Sequence, residues 1–325
     1  MVQAEELMLR TGAAAQAAPV RKRRWRRKAV RFGWGMAFSA PAAVLYGVFV
    51  VLPLVTALWY GLYRWSGTTR KGFAGSGNFH DVLFDYPFAQ QFWSALWHNA
   101  IFFVGTMAVE NTLGLLLAVV LHRIFRGKRA FQTLISLPYL ISPLIIGYLW
   151  TLILSPNFGP VNAFFNAVGL HSLALPWLGE PQLSMPLVIA INAWQWVGCP
   201  MLIFGAALTT IPHELEEAAM MDGAGAWKAF WRIRFPLLMP AVGVVTILTF
   251  IGCFNAFDLV YALGGSSGGP AGSMDLLGLM FYRIAFLGSG NNVGLSSAMA
   301  MIMFVLIFGF AITADRVLRR REAQR

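Results

Sequence analysis

An all-α integral membrane protein with about six spanning helices is the fold class that the sequence predicts. Three observations carry it. Of 325 residues, 58% are hydrophobic and only 12% charged, and mean hydropathy is +0.62, a balance that no soluble domain needs. The apolar residues gather into six runs, each near the roughly 20 residues that cross about 30 Å of hydrocarbon. A run of that length in lipid satisfies its backbone polar groups by forming an α-helix. The basic residues lie between the runs and fall on one side of the chain when the loops are assigned alternately.

Taken in order, residues 1 to 35 read as a basic tail. The first part is small and polar, and Arg21 to Arg31 (RKRRWRRKAVR) is a cationic run directly before a span. In that place it sets orientation and touches anionic lipid. The formal charge of +11 is therefore a matter of topology, and no nucleic-acid partner is expected. The spans are expected at 36–63, 95–121, 132–154, 185–209, 240–263 and 293–317. A further loop covers 210–239, and a short basic tail covers 318–325. With this assignment 21 of the 25 Lys and Arg residues fall on the side of both termini, and only Arg64, Arg70, Lys71 and Arg283 lie opposite. Both termini and the 210–239 loop are then cytoplasmic.

The outer loops, near 64–94, 155–184 and 264–292, hold Gly, Pro, Asn and aromatic residues, as turns and interfacial helices require. Trp65, Trp93, Trp97 and Trp177 sit near helix ends, where indole favours the headgroup region. Cys199 and Cys253 lie in apolar runs without metal or redox spacing and read as packing residues. The five His residues are scattered, so neither a metal nor a cofactor is expected, and an embedded enzyme is disfavoured.

Polar side chains within the spans need a partner or a watered cavity. Glu110 and Asn111 lie in the second span, Asn192, Trp194, Gln195 and Trp196 in the fourth, and Thr249, Asn255 and Asp258 in the fifth. Amides beside aromatic faces suit a sugar, whose hydroxyls need donors and acceptors and whose C–H faces pack on rings. The same groups also serve simply as bonds between helices.

The 210–239 loop is the one long charged helix-forming segment between two spans. Pro212 suits a first helical turn, Glu214, Glu216 and Glu217 follow it, and Asp222-Gly223 interrupts the helix. Two short helices with a bend are expected, the second rich in Trp227, Phe230 and Trp231.

The stretch Glu217-Ala218-Ala219, then Asp222-Gly223-Ala224, then Phe230, Ile233, Pro236 and Pro240 resembles the "EAA" loop of membrane subunits of binding-protein-dependent ABC importers, specifically the maltose-transporter-like carbohydrate importers. Leu137-Pro138-Tyr139, Asn192-x-Trp194 with Gly198 and Pro200, and Phe254-Asn255-x-Phe257 resemble segments that line the maltose importer's sugar site. Tyr282 to Phe286 and Gly294-Leu295 also match, so the resemblance runs from Met36 to Val317. It implies the type I ABC importer permease fold in the bacterial cytoplasmic (inner) membrane. It implies an ATPase-coupling helix at Glu217, Ala218, Ala219, Asp222, Gly223 and Ala224. It implies a substrate site at Tyr139, Asn192, Trp194, Gln195, Gly198, Thr249, Gly252 and Asn255. The partners it implies are a second permease, two copies of a cytoplasmic ABC ATPase and an extracytoplasmic solute-binding protein. The sequence holds no GxxxxGK[ST] phosphate loop, so ATP is hydrolysed by the partner and this chain is not itself an enzyme. The cargo expected is a di- or oligosaccharide, including acidic ones such as alginate fragments. Ala256 and Pro143 stand where the maltose importer has polar side chains, which leaves the sugar open. Glycerol phosphate or another small polar solute, and a stand-alone secondary carrier, are the alternatives.

Overall fold

The computed structural model describes residues 36, 38–67, 69–122, 127–287 and 292–322. The expected tail at 1–35, with its Arg21 to Arg31 run, lies outside the described residues, as do Arg123, Arg126 and 323–325. The chain divides into two units, Met1–Trp59 and Tyr60–Arg325. The described part of the first unit is helical. It belongs to α1 (Phe38–Gly61), whose most apolar 18-residue stretch has a mean hydropathy of 2.2 and whose length of about 36 Å suffices to cross hydrocarbon. Phe38 and Phe49 are almost fully exposed on it, as side chains facing lipid would be.

In the second unit a two-stranded antiparallel hairpin comes first, β1 (Tyr63–Ser66) and β2 (Thr69–Phe73), pairing Tyr63 with Phe73. It is fastened to α2 (Gly77–Phe84) by the Arg64–Asp81 ion pair. Buried Asn78 adds two bonds, donating to the carbonyls of Gly61 at 2.7 Å and Tyr63 at 2.8 Å. The second span is α3 (Phe88–His122), 35 residues long. It contains one wide turn at Met107–Asn111, where the backbone bonds reach five residues instead of four.

The third expected span is a broken one. Helix α4 (Lys128–Leu140) meets α5 (Pro143–Ile153) at 95°. The cause is local: Pro143 has no amide hydrogen and pushes the residue before it out of helical geometry. Ser142 accordingly sits at φ −56°, ψ 133°, and Ile141 is extended too. A short helix, α6 (Pro160–Ala167), occupies the expected outer loop. The fourth span is also bent, by 49°, between α7 (Pro181–Trp196) and α8 (Gly198–Thr209). Pro200 has no amide hydrogen to continue the α7 ladder across this junction.

Helix α9 (His213–Met221) is the expected first helix of the loop, with Pro212 just before it rather than in its first turn. The helix after the bend is not short. It is α10 (Ala226–Phe254), which starts at Ala226 rather than Pro240 and runs unbroken from the loop into the fifth span. Lys228, Arg232 and Arg234 ride on its first turns, and a wide turn at Phe230–Arg234 precedes Pro236. Its start is covered by Gly225, not by Asp222, which instead closes α9. The helix ends where Asn255 leaves helical geometry and donates its side-chain amide to the Ile251 carbonyl at 3.0 Å. Residues up to Gly264 therefore form a separate helix, α11 (Asp258–Gly264), and the expected span end at 263 is corrected to 254. Then come α12 (Leu277–Leu287) and α13 (Val293–Glu322), which continues past the expected end at 317.

Among the described residues four helices can cross a membrane by length and composition, and the two bent pairs raise this to six. The main core lies where Phe92 and Phe102 of α3, Val188 and Ile191 of α7, Leu277 and Met280 of α12, and Leu295 and Met299 of α13 bury one another. A polar clip runs through it. Asn99 donates to the Cys253 carbonyl at 2.9 Å and accepts from the Leu277 amide at 2.8 Å, joining α3, α10 and α12. Towards the other end, Gly114 of α3 lies so close to α8 that an added Cβ would stand 2.9 Å from Pro200.

Candidate solute cavity and coupling helix

Between α3, the α4–α5 break, the α7–α8 bend, α10 and α11 lies a cavity of about 540 Å³. The breaks are what open it. At the α4–α5 corner the backbone turns away and leaves Tyr139 on the wall; across the α7–α8 corner Asn192, Trp196, Cys199 and Ile203 line up at helical spacing on one face. Helix α10 supplies Thr249 and Gly252, its end supplies Asn255, and α11 begins at the wall with Asp258.

The wide turn of α3 sets the polar side of the cavity. Its two neighbouring residues reach different helices: Glu110 accepts from the Asn192 amide at 3.2 Å, and Asn111 donates to the Thr249 hydroxyl at 3.2 Å. Consecutive residues of a regular helix point about 100° apart. This pair thus ties α3 to α7 on one side and α10 on the other. The aromatic side is Tyr139 edge-on to Trp196, ring centres 5.1 Å apart. The cavity therefore offers amide and hydroxyl groups, carboxyls and a π surface in one hollow, which is what a polyhydroxylated solute with C–H faces would use.

Five of the eight expected substrate residues line this hollow: Tyr139, Asn192, Thr249, Gly252 and Asn255. The other three stand elsewhere. Trp194 is turned to Trp150, with ring centres 5.7 Å apart. Gln195 is fully buried and donates to the Ile141 carbonyl at 2.9 Å, holding the α4–α5 corner. Gly198 is a close-packing position, since a Cβ there would come within 2.8 Å of the Ser136 Cα. Trp196, Glu110 and Asp258 line the cavity and were not among the eight. The phase of α7 would have found Trp196, one turn on from Asn192. A second hollow of about 560 Å³ beside α12 and α13 draws polar side chains only from Asn255 and Tyr282 and offers little to a hydrated solute.

The expected coupling residues lie together on α9 and the turn that closes it. Glu217 and Ala218 are exposed on α9, and Ala219 is buried. The helix then closes with a pair of backbone bonds, Gly223 amide to Met220 carbonyl at 3.0 Å and Ala224 amide to Ala219 carbonyl at 2.9 Å. This turn requires a left-handed residue, and Gly223 takes φ +74°. Beyond it Trp227 is 76% and Met221 88% exposed. Trp227, Trp231 and Phe235 form a ladder with successive ring centres 5.7 and 4.8 Å apart. Exposed apolar surface of this size next to a span marks a place where another surface sits.

Known proteins resemble this chain in sequence and in fold. The lactose transport system permease protein LacF of Rhizobium radiobacter is 34% identical over 253 residues, 78% of this chain and 83% of that protein. The multiple sugar-binding transport system permease protein MsmF of Streptococcus mutans is 30% identical over 282 residues, covering 86% and 93%. Among solved structures, a chain of a bacterial ABC transporter involved in import of the acidic polysaccharide alginate superposes with a TM-score of 0.75 at 22% identity, covering 91% of this chain and 99% of that one. The model of the binding-protein-dependent transport system inner membrane component family matches residues 110–323, and the chain belongs to that family.

Proposed function

We propose that this chain is the permease subunit of a sugar importer, and that it passes a di- or oligosaccharide through the cavity walled by Tyr139, Asn192, Trp196, Thr249, Gly252 and Asn255. The observation that carries this reading is the pairing of amide and hydroxyl groups with the Tyr139–Trp196 aromatic wall inside one hollow of about 540 Å³. Relatives named for lactose and for multiple sugars support it. The chain lies in the cytoplasmic membrane with both termini inside, consistent with the basic residues at the end of α13 and on α10. It pairs with a second permease and two copies of an ABC ATPase, and it receives cargo from a solute-binding protein outside.

The mechanism is mechanical. α9, with Glu217 to Ala219 and the Gly223 turn, sits in the ATPase, and α10 continues without a break from that turn to the Thr249 and Gly252 wall. Closing of the ATPases on ATP moves α9, the stiff α10 carries the motion, and the α4–α5 and α7–α8 corners are where the wall reshapes. Exposure of the cavity then alternates between the two sides of the membrane. The test is uptake by the reconstituted assembly. The Asn192→Ala, Asn255→Ala double variant should assemble normally and lose most sugar uptake, and unchanged uptake would reject the cavity as the route.

A further inference from the structure

The charge of the cargo follows from the cavity wall. Resting on the reading of this hollow as the saccharide route, we infer that the cargo is an uncharged sugar and that the wall discriminates against anions, with Asp258 as the discriminating residue. Two carboxyl groups, Glu110 and Asp258, line the hollow, and among the described residues no Lys, Arg or His lines it. Asp258 is exposed and opens α11. A carboxylate or phosphate on the cargo would want guanidinium or ammonium donors. Arg283 on α12, whose neighbour Tyr282 packs on Tyr261 of α11, is already taken: it holds both carboxylate oxygens of Asp275 at 2.8 and 2.5 Å and the Ser266 carbonyl at 3.2 Å.

A neutral sugar meets none of this opposition. Its hydroxyls donate to the carboxyl oxygens, accept from the Asn192 and Asn255 amides, and its C–H face lies against Tyr139 and Trp196. A cargo carboxylate about 6 Å from Asp258, at an effective dielectric constant of about 20, would bind roughly a hundred-fold more weakly for that one contact. This separates the chain from its structural neighbour, whose transporter imports an acidic polysaccharide.

The experiment is equilibrium binding to the detergent-purified membrane assembly, permease pair with ATPases and without the solute-binding protein. The probes are a panel of neutral sugars (lactose, raffinose, maltotriose) and oligouronates of matched length. Expected is binding of at least one neutral sugar, with the matched oligouronate about a hundred-fold weaker, and a gap narrowed at least ten-fold in Asp258→Asn. In the wild-type assembly, raising salt should strengthen oligouronate binding by screening the repulsion while leaving the neutral sugar unmoved. Oligouronate binding as tight as the neutral sugar, or weakening with salt, overturns the charge inference and leaves the saccharide route standing. A gap that persists in folded Asp258→Asn overturns the role of Asp258. An intact assembly that binds no saccharide of either kind overturns the saccharide route itself.

Discussion

Gly223 offers a substitution whose effect can be isolated from packing. The residue sits at φ +74° in the turn that closes α9, and a Cβ added there meets nothing within 4 Å. Within this chain, any loss on substitution to Ala therefore comes from the backbone and not from a clash. A left-handed conformation costs an L-residue about 1–2 kcal/mol, which lowers the population of the closed turn by roughly 5- to 30-fold. Asn adopts this region more readily than Ala, and a β-branched residue less readily. The order expected for ATP hydrolysis stimulated by the loaded binding protein in proteoliposomes is therefore wild type, then Gly223→Asn, then Gly223→Ala, then Gly223→Val. Basal hydrolysis should hold throughout, because in the proposed coupling α9 touches the ATPase without forming its nucleotide site. The reasoning fails if Gly223→Val is stimulated like wild type, or if Gly223→Asn is no better than Gly223→Val.

Three further outcomes follow from the contacts. Trp196→Ala should raise the KM for uptake several-fold, whereas Trp194→Ala, facing Trp150 instead of the cavity, should lower thermal stability and leave KM alone; transport kinetics and a melting curve on both variants separate the two. Asn99→Ala strands the Leu277 amide in the core, while the Cys253 carbonyl loses one donor and keeps the Ala256 amide; an unsatisfied buried amide costs about 1–3 kcal/mol, so the melting temperature should fall more than that of any single cavity-wall variant. A double-mutant cycle on Asn111→Leu and Thr249→Val should return a coupling of about 0.6 kcal/mol, the usual worth of a hydrogen bond between spans. Zero coupling would mean that α3 and α10 are not joined there.

The spans were legible because lipid allows so few ways to hide a backbone, and an apolar run of sufficient length admits one reading. Their corners were less so. Pro143 signals a break only once Ser142 and Ile141 are known to be extended, and the same apolar run read straight gives one span through a 95° turn. The continuity of α10 was hidden for the opposite reason: Lys228, Arg232 and Arg234 set the expected second short helix apart from the span, yet charged side chains are good helix formers and the helix runs on through them. In the cavity, the motif spacing singled out Trp194 and Gln195, but a motif records residue types and not the phase of the helix. Counting from Asn192 by the helical repeat reaches Trp196, which is the indole on the wall. Glu110 and Asp258 could be read as bonds between helices, and Glu110 is one, to Asn192. Only the position of the breaks reveals that they border a hollow.

The wide turn at Met107–Asn111 amounts to one surplus residue threaded into an otherwise regular rod. A wide turn absorbs one extra residue in about the rotation and rise of an ordinary turn, so the halves of α3 before and after it keep their phase, and Asn99 and Gly114 both face their neighbours. What the surplus residue alters is local, the aim of Glu110 at Asn192 and of Asn111 at Thr249. Deleting Ala108 should therefore spare the Asn99 clip and the Gly114 contact and lose this polar pair, whereas a one-residue deletion elsewhere in α3 throws one half about 100° out of step with the other.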